Sequence, residues 1–217
     1  MKENILILLF IFVSITNSYL LAQQEPLSSD RPDQTDSPFL VPFRYLQIES
    51  GISYEKSDNG SSALTHPDII WRYGVSDKLE LRLFTQLATL TENGVTETGV
   101  NPVGVSLKLA LFEERGMLPT VGFLGNVTLP FLATKNFKAT DPTAAFVFLF
   151  ENTLSKHVSV SYNLGVEWDG GGSNSDFIYS VSGAHSIDKN LSAFTELYGT
   201  LQPEQNPMHL ADFGIAY

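Results

Sequence analysis

VSVSYNLGVEW, Val158 to Trp168, decides the fold class. Val158, Val160, Tyr162, Leu164, Val166 and Trp168 alternate with Ser159, Ser161, Asn163 and Glu167. A period of two sends successive side chains to opposite faces of an extended strand, so one face is apolar and the other polar. The pattern recurs along the chain. YLQIESGISYE sets Leu46, Ile48, Ile52 and Tyr54 against Gln47, Glu49, Ser53 and Glu55. KLELRLFTQL sets Leu79, Leu81, Leu83 and Leu87 against Glu80, Arg82 and Gln86, and VGVSLKLAL sets Val103, Val105, Leu107, Leu109 and Leu111 against Ser106 and Lys108.

Ten such segments are centred near residues 50, 71, 82, 107, 125, 148, 163, 182, 195 and 213. Each is about ten residues long, the length a tilted strand needs to cross hydrocarbon. Their connections alternate in length. VSDKL (75–79), EERGM (113–117), LSKHV (154–158) and IDKNL (187–191) are short. KSDNGSS (56–62), TENGVTETGVNP (91–102), ATKNFKATDP (133–142), DGGGSNSD (169–176) and LQPEQNP (201–207) are longer and more polar. An outer-membrane barrel has this alternation, with tight turns on the periplasmic side and long loops outside. The expectation is therefore an all-β protein, an antiparallel up-and-down transmembrane β-barrel with about ten strands present and its N-terminus in the periplasm.

Alternation alone fits a soluble lipocalin-like barrel equally well, with its apolar face turned inward. Three features favour the membrane: a leader sequence, the loop alternation, and a charged set assigned to the lumen. That pore-lining set is Glu49, Glu55, Arg72, Glu80, Arg82, Lys108, Glu167 and Glu196. Tyr45, Tyr54, Trp71, Tyr73, Trp168, Phe177, Tyr179 and Tyr217 are candidates for the interfacial aromatic girdles.

The leader is MKENILILLFIFVSITNSYLLAQQ, with Lys2, an apolar run from Ile5 to Val13, and Ala22 ahead of two glutamines. It reads as a signal peptide over 1–22, its apolar run being too short to span a bilayer. Cleavage there leaves roughly 195 residues, enough for one substantial domain. The chain has no cysteine, which excludes a lipoprotein anchor, disulfides and thiolate metal sites. Its formal charge of −11 makes it a poor partner for nucleic-acid phosphates. The expected location is the outer membrane of a Gram-negative cell.

Between leader and barrel lies DRPDQTDSPFLVP, Asp30 to Pro42. Its functional residues are assigned as Asp30, Arg31, Pro32, Asp33, Asp36 and Pro38. Pro32, Pro38 and Pro42 remove backbone donors and stiffen the chain, which suits a tether or small plug. A calcium loop would need a turn glycine and a bidentate glutamate instead. The segment 23–42 is expected at the periplasmic mouth or folded into the lumen, where Asp30, Asp33 and Asp36 can meet Arg31, Arg72 and Arg82. The barrel takes 43–217.

DRPDQTDSPFLVPFRYLQIESGISYEK resembles the opening box of a family of outer-membrane transporters, labelled MetA pathway of phenol degradation and common in Bacteroidetes. The resemblance continues through YGVSDKLELRL, VGVSLKLALFEERGMLPTVGFLGNVTLP and SIDKNLSAFTELYG. It implies a β-barrel and a channel role for small solutes, aromatic or hydrophobic ones among them; phenol is not carried over as a substrate. Family members run on for about another hairpin past the counterpart of HLADFGIAY and end in phenylalanine, with about twelve strands. The expectation is that this chain lacks that hairpin, the alternative being a closed ten-stranded barrel. Tyr217 resembles the terminal aromatic by which barrel-insertion machinery recognises such proteins.

Chemistry beyond passage is not called for. His66, His157, His185 and His209 have no paired spacing, and no nucleophile motif or phosphate cradle is present. No catalytic residue, metal or cofactor is expected. The inner-face charges leave two possibilities open. Excess carboxylates in an open lumen would favour neutral or cationic solutes, whereas charges in a narrow barrel would pair with one another and fill it. The first expectation is thus passive passage of small solutes, with outer-membrane lipid and the insertion machinery as partners. A non-conducting structural or loop-binding barrel comes second, and an outer-membrane enzyme third.

Overall fold

The computed structural model describes residues 29–31, 34–57, 60–171, 175–203 and 206–217. The leader, Pro32 and Asp33 lie outside the described residues. Eleven strands form one sheet: β1 (Leu46–Lys56), β2 (Ser62–Ser76), β3 (Leu79–Glu92), β4 (Val95–Val100), β5 (Val103–Phe112), β6 (Thr120–Leu129), β7 (Ala144–Thr153), β8 (Val158–Trp168), β9 (Asp176–Ser186), β10 (Ser192–Leu201) and β11 (Met208–Ala216). Every strand pairing is antiparallel between consecutive strands of the path, apart from β4, which lies off it and pairs only β3. The fold is an all-β up-and-down meander, and the described residues contain no helix long and apolar enough to cross a membrane.

The ten strands on the path fall where the period-two segments predict them. The eleventh is a correction: 91–102, read as a loop, contains β4. Asn93 and Gly94 both have positive φ, 51° and 79°. Such an Asn-Gly pair turns a strand back in a tight hairpin whose twist matches its arms. β3 consequently runs on to Glu92 and pairs from Glu92↔Val95 to Leu87↔Val100. Short 3-10 turns, Pro130–Leu132 and Lys135–Phe137, occupy part of the next long connection.

The faces are distributed the opposite way to those of a soluble protein. Leu46, Ile48, Ile52 and Tyr54 of β1, Leu81 and Leu83 of β3, Val105 and Leu107 of β5, and Phe146 and Phe148 of β7 are exposed. On the other parity Glu49, Arg72, Glu80, Arg82, Ser106, Lys108, Asn163, Ser180, Ser182 and Glu196 are buried. Charged groups are almost never fully buried unless paired, so their partners define the interior.

Those partners come partly from one another and partly from the described residues of 29–45, which lie in the concavity of the curled sheet. Within the described residues β1 and β11, the two ends of the path, are not paired with each other. The N-terminal segment nevertheless reaches both halves of the path, Ser29 donating to Glu49 of β1 and Gln34 N donating to Glu196 of β10. The segment leaves the concavity by docking on β2. Arg44 N donates to Gly74 O at 2.8 Å and Gly74 N donates to Tyr45 O at 3.1 Å. A Cβ at Gly74 would stand 2.1 Å from the Pro42 carbonyl oxygen, so only glycine admits this approach.

Candidate functional site

Period-two geometry places Arg72 on β2 directly opposite Arg82 on β3, and Glu80 opposite Lys108 on β5. Three cations and a carboxylate thus share a small patch of the concave wall, with Glu49 of β1 beside them. Arg72 and Lys108 are wholly buried. Like charges packed this closely persist only with counter-charges supplied.

Glu80 supplies one set. Its Oε1 accepts Arg72 Nε at 2.8 Å and Arg82 Nε at 2.7 Å, while Oε2 accepts Arg72 Nη2 at 3.1 Å. Glu49 Oε1 accepts Arg72 Nη1 at 2.7 Å. Asp30, from the N-terminal segment, supplies the rest. Its Oδ2 receives Arg72 Nη1 at 3.2 Å, Lys108 Nζ at 2.9 Å, and Arg82 Nη2. Its Oδ1 accepts from the backbone N–H and the hydroxyl of Ser37, at 3.0 and 2.8 Å, closing a turn of the segment. Burial pushes the Asp30 carboxyl up, but Lys108, Arg82 and Arg72 more than reverse this and hold it well below the usual carboxylate range.

The rest of the segment is fixed by backbone groups. Val41 N donates to Glu80 Oε2 at 2.6 Å. Asn163 of β8 brackets Asp36, its Oδ1 accepting Asp36 N at 2.8 Å and its Nδ2 donating to Asp36 O at 2.9 Å. The Asp36 carboxylate accepts Arg82 Nη1 at 2.9 Å. Glu196 of β10 accepts the N–H groups of Gln34 and Thr35 at 2.7 and 3.0 Å, and the Thr35 hydroxyl at 2.7 Å. Arg31 pairs with Asp68 of β2 at 2.8 Å, and Ser29 donates to Glu49. Pro38 is buried against Gly122 of β6. The segment therefore touches β1, β2, β3, β5, β6, β8 and β10, spanning the concavity in the half nearer the short turns.

The structure gathers Glu49, Arg72, Glu80, Arg82 and Lys108 with Asp30 and Asp36 into one network, and sets Glu196 at its far end. Of the two possibilities left open for the inner-face charges, the half nearer the short turns shows the paired one, with the N-terminal segment lodged in it. Glu55 and Glu167 do not join it: both are exposed, towards the long-loop ends of β1 and β8. Arg31 meets Asp68, and among the described residues it makes no ion pair with Asp30 or Asp36. Asp68, Asn163, Thr35 and Val41 carry contacts that the sequence reading did not assign. Asp68 shares the parity of Arg72 through an uninterrupted register from Asp68↔Gln86 to Arg72↔Arg82, so alternation could have placed it on the inner face, while Val41 contributes only a backbone N–H. The His157 and His185 rings lie 6.5 Å apart near one turn, and the described residues contain no group of three or more metal-binding side chains.

An antiparallel meander with an apolar exposed face, a charged buried face and its own N-terminal segment lodged inside defines an all-β protein built inside out. The chain belongs to the family described as “Putative MetA-pathway of phenol degradation”, whose model matches residues 29–217. No curated protein matches it.

Proposed function

We propose that this protein is an outer-membrane β-barrel through which small solutes pass, and that its N-terminal segment closes the passage in the conformation described. The observation that carries this reading is the inverted distribution of faces. Lipid rewards an apolar exterior and demands that backbone polar groups be satisfied within the sheet. Ten strands on the path, an even number, suit an antiparallel barrel in which β1 and β11 meet directly or through a further hairpin. The buried face is polar, which a passage requires and a packed soluble core does not.

The lodged segment favours a second reading, a barrel that does not conduct. Conductance of the refolded protein in a planar bilayer separates the two. Passage predicts few or short openings for the wild type and more for a variant carrying Asp30→Asn and Asp36→Asn, which loosens the segment. A sample that is folded by its heat-modifiable gel migration, yet shows no conductance steps in either form, supports the non-conducting barrel.

A further inference from the structure

We propose that Arg72, Arg82 and Lys108 form a carboxylate-binding site for a small monocarboxylate, which Asp30 fills from within the chain in this conformation. As a site for a solute it rests on the passage reading above. The geometry is that of a ligand and its receptor. One oxygen of Asp30 receives three cationic side chains from three strands, β2, β3 and β5, although Asp30 itself belongs to no strand. The wall around this oxygen is not balanced without it. The wall carboxylates bonded to Arg72, Arg82 and Lys108 are Glu49 and Glu80, so withdrawal of Asp30 and Asp36 together leaves an excess of one cation at this spot. Glu151 acts on Lys108 only from two strands away on β7, four residues off its register, and accepts from the Ser161 hydroxyl. A buried unpaired charge is costly, and a solute carboxylate is the group that relieves it with the same geometry.

A second observation points to a ligand. Ser106 of β5, opposite Arg82 in the sheet, is buried, and its hydroxyl has no hydrogen-bond partner among the described residues. Across the next pairing, the buried Asn126 Oδ1 likewise has none. Unmet polar atoms beside the cations are available to a guest larger than the Asp30 carboxyl. Other inward carboxylates stand apart, Asp212 of β11 among them, opposite Glu196. Asp68 is four residues from Arg72, about 13 Å along β2, and Glu196 is on β10 with its oxygens turned to the segment backbone. Glu55 is about 20 Å along β1 from Glu49. Being exposed, it is screened over the ~8 Å Debye length of physiological salt, whereas the buried cations are not. The site therefore selects an anion although the chain carries a formal charge of −11.

The test is chemical rescue with acetate as the probe, on the full refolded protein, with chloride at equal ionic strength as the control. Asp30→Ala empties the site. Acetate is expected to raise the unfolding temperature of that variant by a few degrees over chloride, and to lose this effect when Arg82→Gln is added. Equal behaviour in the two salts overturns the proposal. Should Asp30→Ala fail to fold, Thr35→Cys reads the same competition in an otherwise unchanged chain. Its thiol would be the sole one present and shielded while the segment is seated, so acetate should speed its labelling several-fold over chloride, and an unchanged rate overturns the site. Acetate rescue in a barrel that never conducts leaves the site standing while the passage reading falls. A conducting barrel indifferent to acetate removes the site alone.

Discussion

Lys108 Nζ, at a wholly buried position on β5, lies 2.9 Å from Asp30 Oδ2, seventy-eight positions earlier in the chain. Two neighbouring guanidinium groups share that oxygen, so Asp30 neutralises the most crowded set of like charges in the described interior. Removing one partner of a buried pair strands the other, at a cost of about 3–5 kcal/mol. Asp30→Asn is expected to lower the unfolding free energy of the refolded protein by about that amount. Arg31→Gln breaks only the partly exposed pair with Asp68, and about 1 kcal/mol or less is expected there. Urea unfolding in lipid vesicles measures both, and equal losses would show that Asp30 is not the key of the network.

Acid should release the segment. The folded-state carboxyl of Asp30 is held below its ordinary value of 3.8: burial acts against this, but Lys108, Arg82 and Arg72 outweigh it. A group depressed in the folded state contributes stability that is present above its unfolded pKa and is lost as the pH falls towards the folded one. The seated segment should therefore be insensitive to pH near neutrality and weaken progressively below about pH 4. Asp30→Asn should flatten that dependence. Protease cleavage within 29–42, followed from pH 7 to pH 3 with an acid-active protease, reads the release. A wild type and variant that lose protection in parallel would assign the acid response to other groups.

Gly74 fixes where the segment turns into the sheet. Its backbone exchanges hydrogen bonds with Arg44 and Tyr45, and the site of its missing Cβ lies against the carbonyl oxygens of Val41 and Pro42. Gly74→Ala cannot be accommodated by turning a flexible side chain, because the obstacles are backbone atoms. It should push the segment off β2 and take Val41 N away from Glu80 Oε2. The expected phenotype is cleavage near residues 41–45 at neutral pH, with the protein still migrating as a folded band. Gly94→Ala, in the exposed β3–β4 turn, should leave the segment protected.

Strand positions were legible because a period of two survives in any sheet with one wet and one dry face, and Val158–Trp168 states it without interruption. The Asn93–Gly94 pair was equally readable as a hairpin turn, but the polar run around it resembles a surface loop. The cations and carboxylates of the wall followed from parity alone. Their partners did not, because contacts such as Asp36 with Asn163 join residues 127 apart and use backbone groups that carry no side-chain signature. Parity also cannot say which face points outward. Burial does, with Arg72 inside and Ile52 outside.

The orientation of the faces yields the last prediction. Phe148 lies at the middle of β7, 47 % exposed, with its ring edge-on to Phe123 of β6 at 5.3 Å. On a soluble protein, Phe148→Arg at so open a position should change stability by about 0.5 kcal/mol or less. In a bilayer the same side chain faces hydrocarbon, where an arginine near the midplane costs about 2–4 kcal/mol. The variant is expected to fold poorly into vesicles of standard thickness and to recover partly in thinner ones, where the guanidinium reaches the interface. Exposed Phe112, at the short-turn end of β5, serves as the depth control. Phe112→Arg should cost about 1 kcal/mol or less, as expected near an interface. If Phe148→Arg and Phe112→Arg fold equally well at every bilayer thickness, the apolar face does not meet lipid and the membrane reading fails.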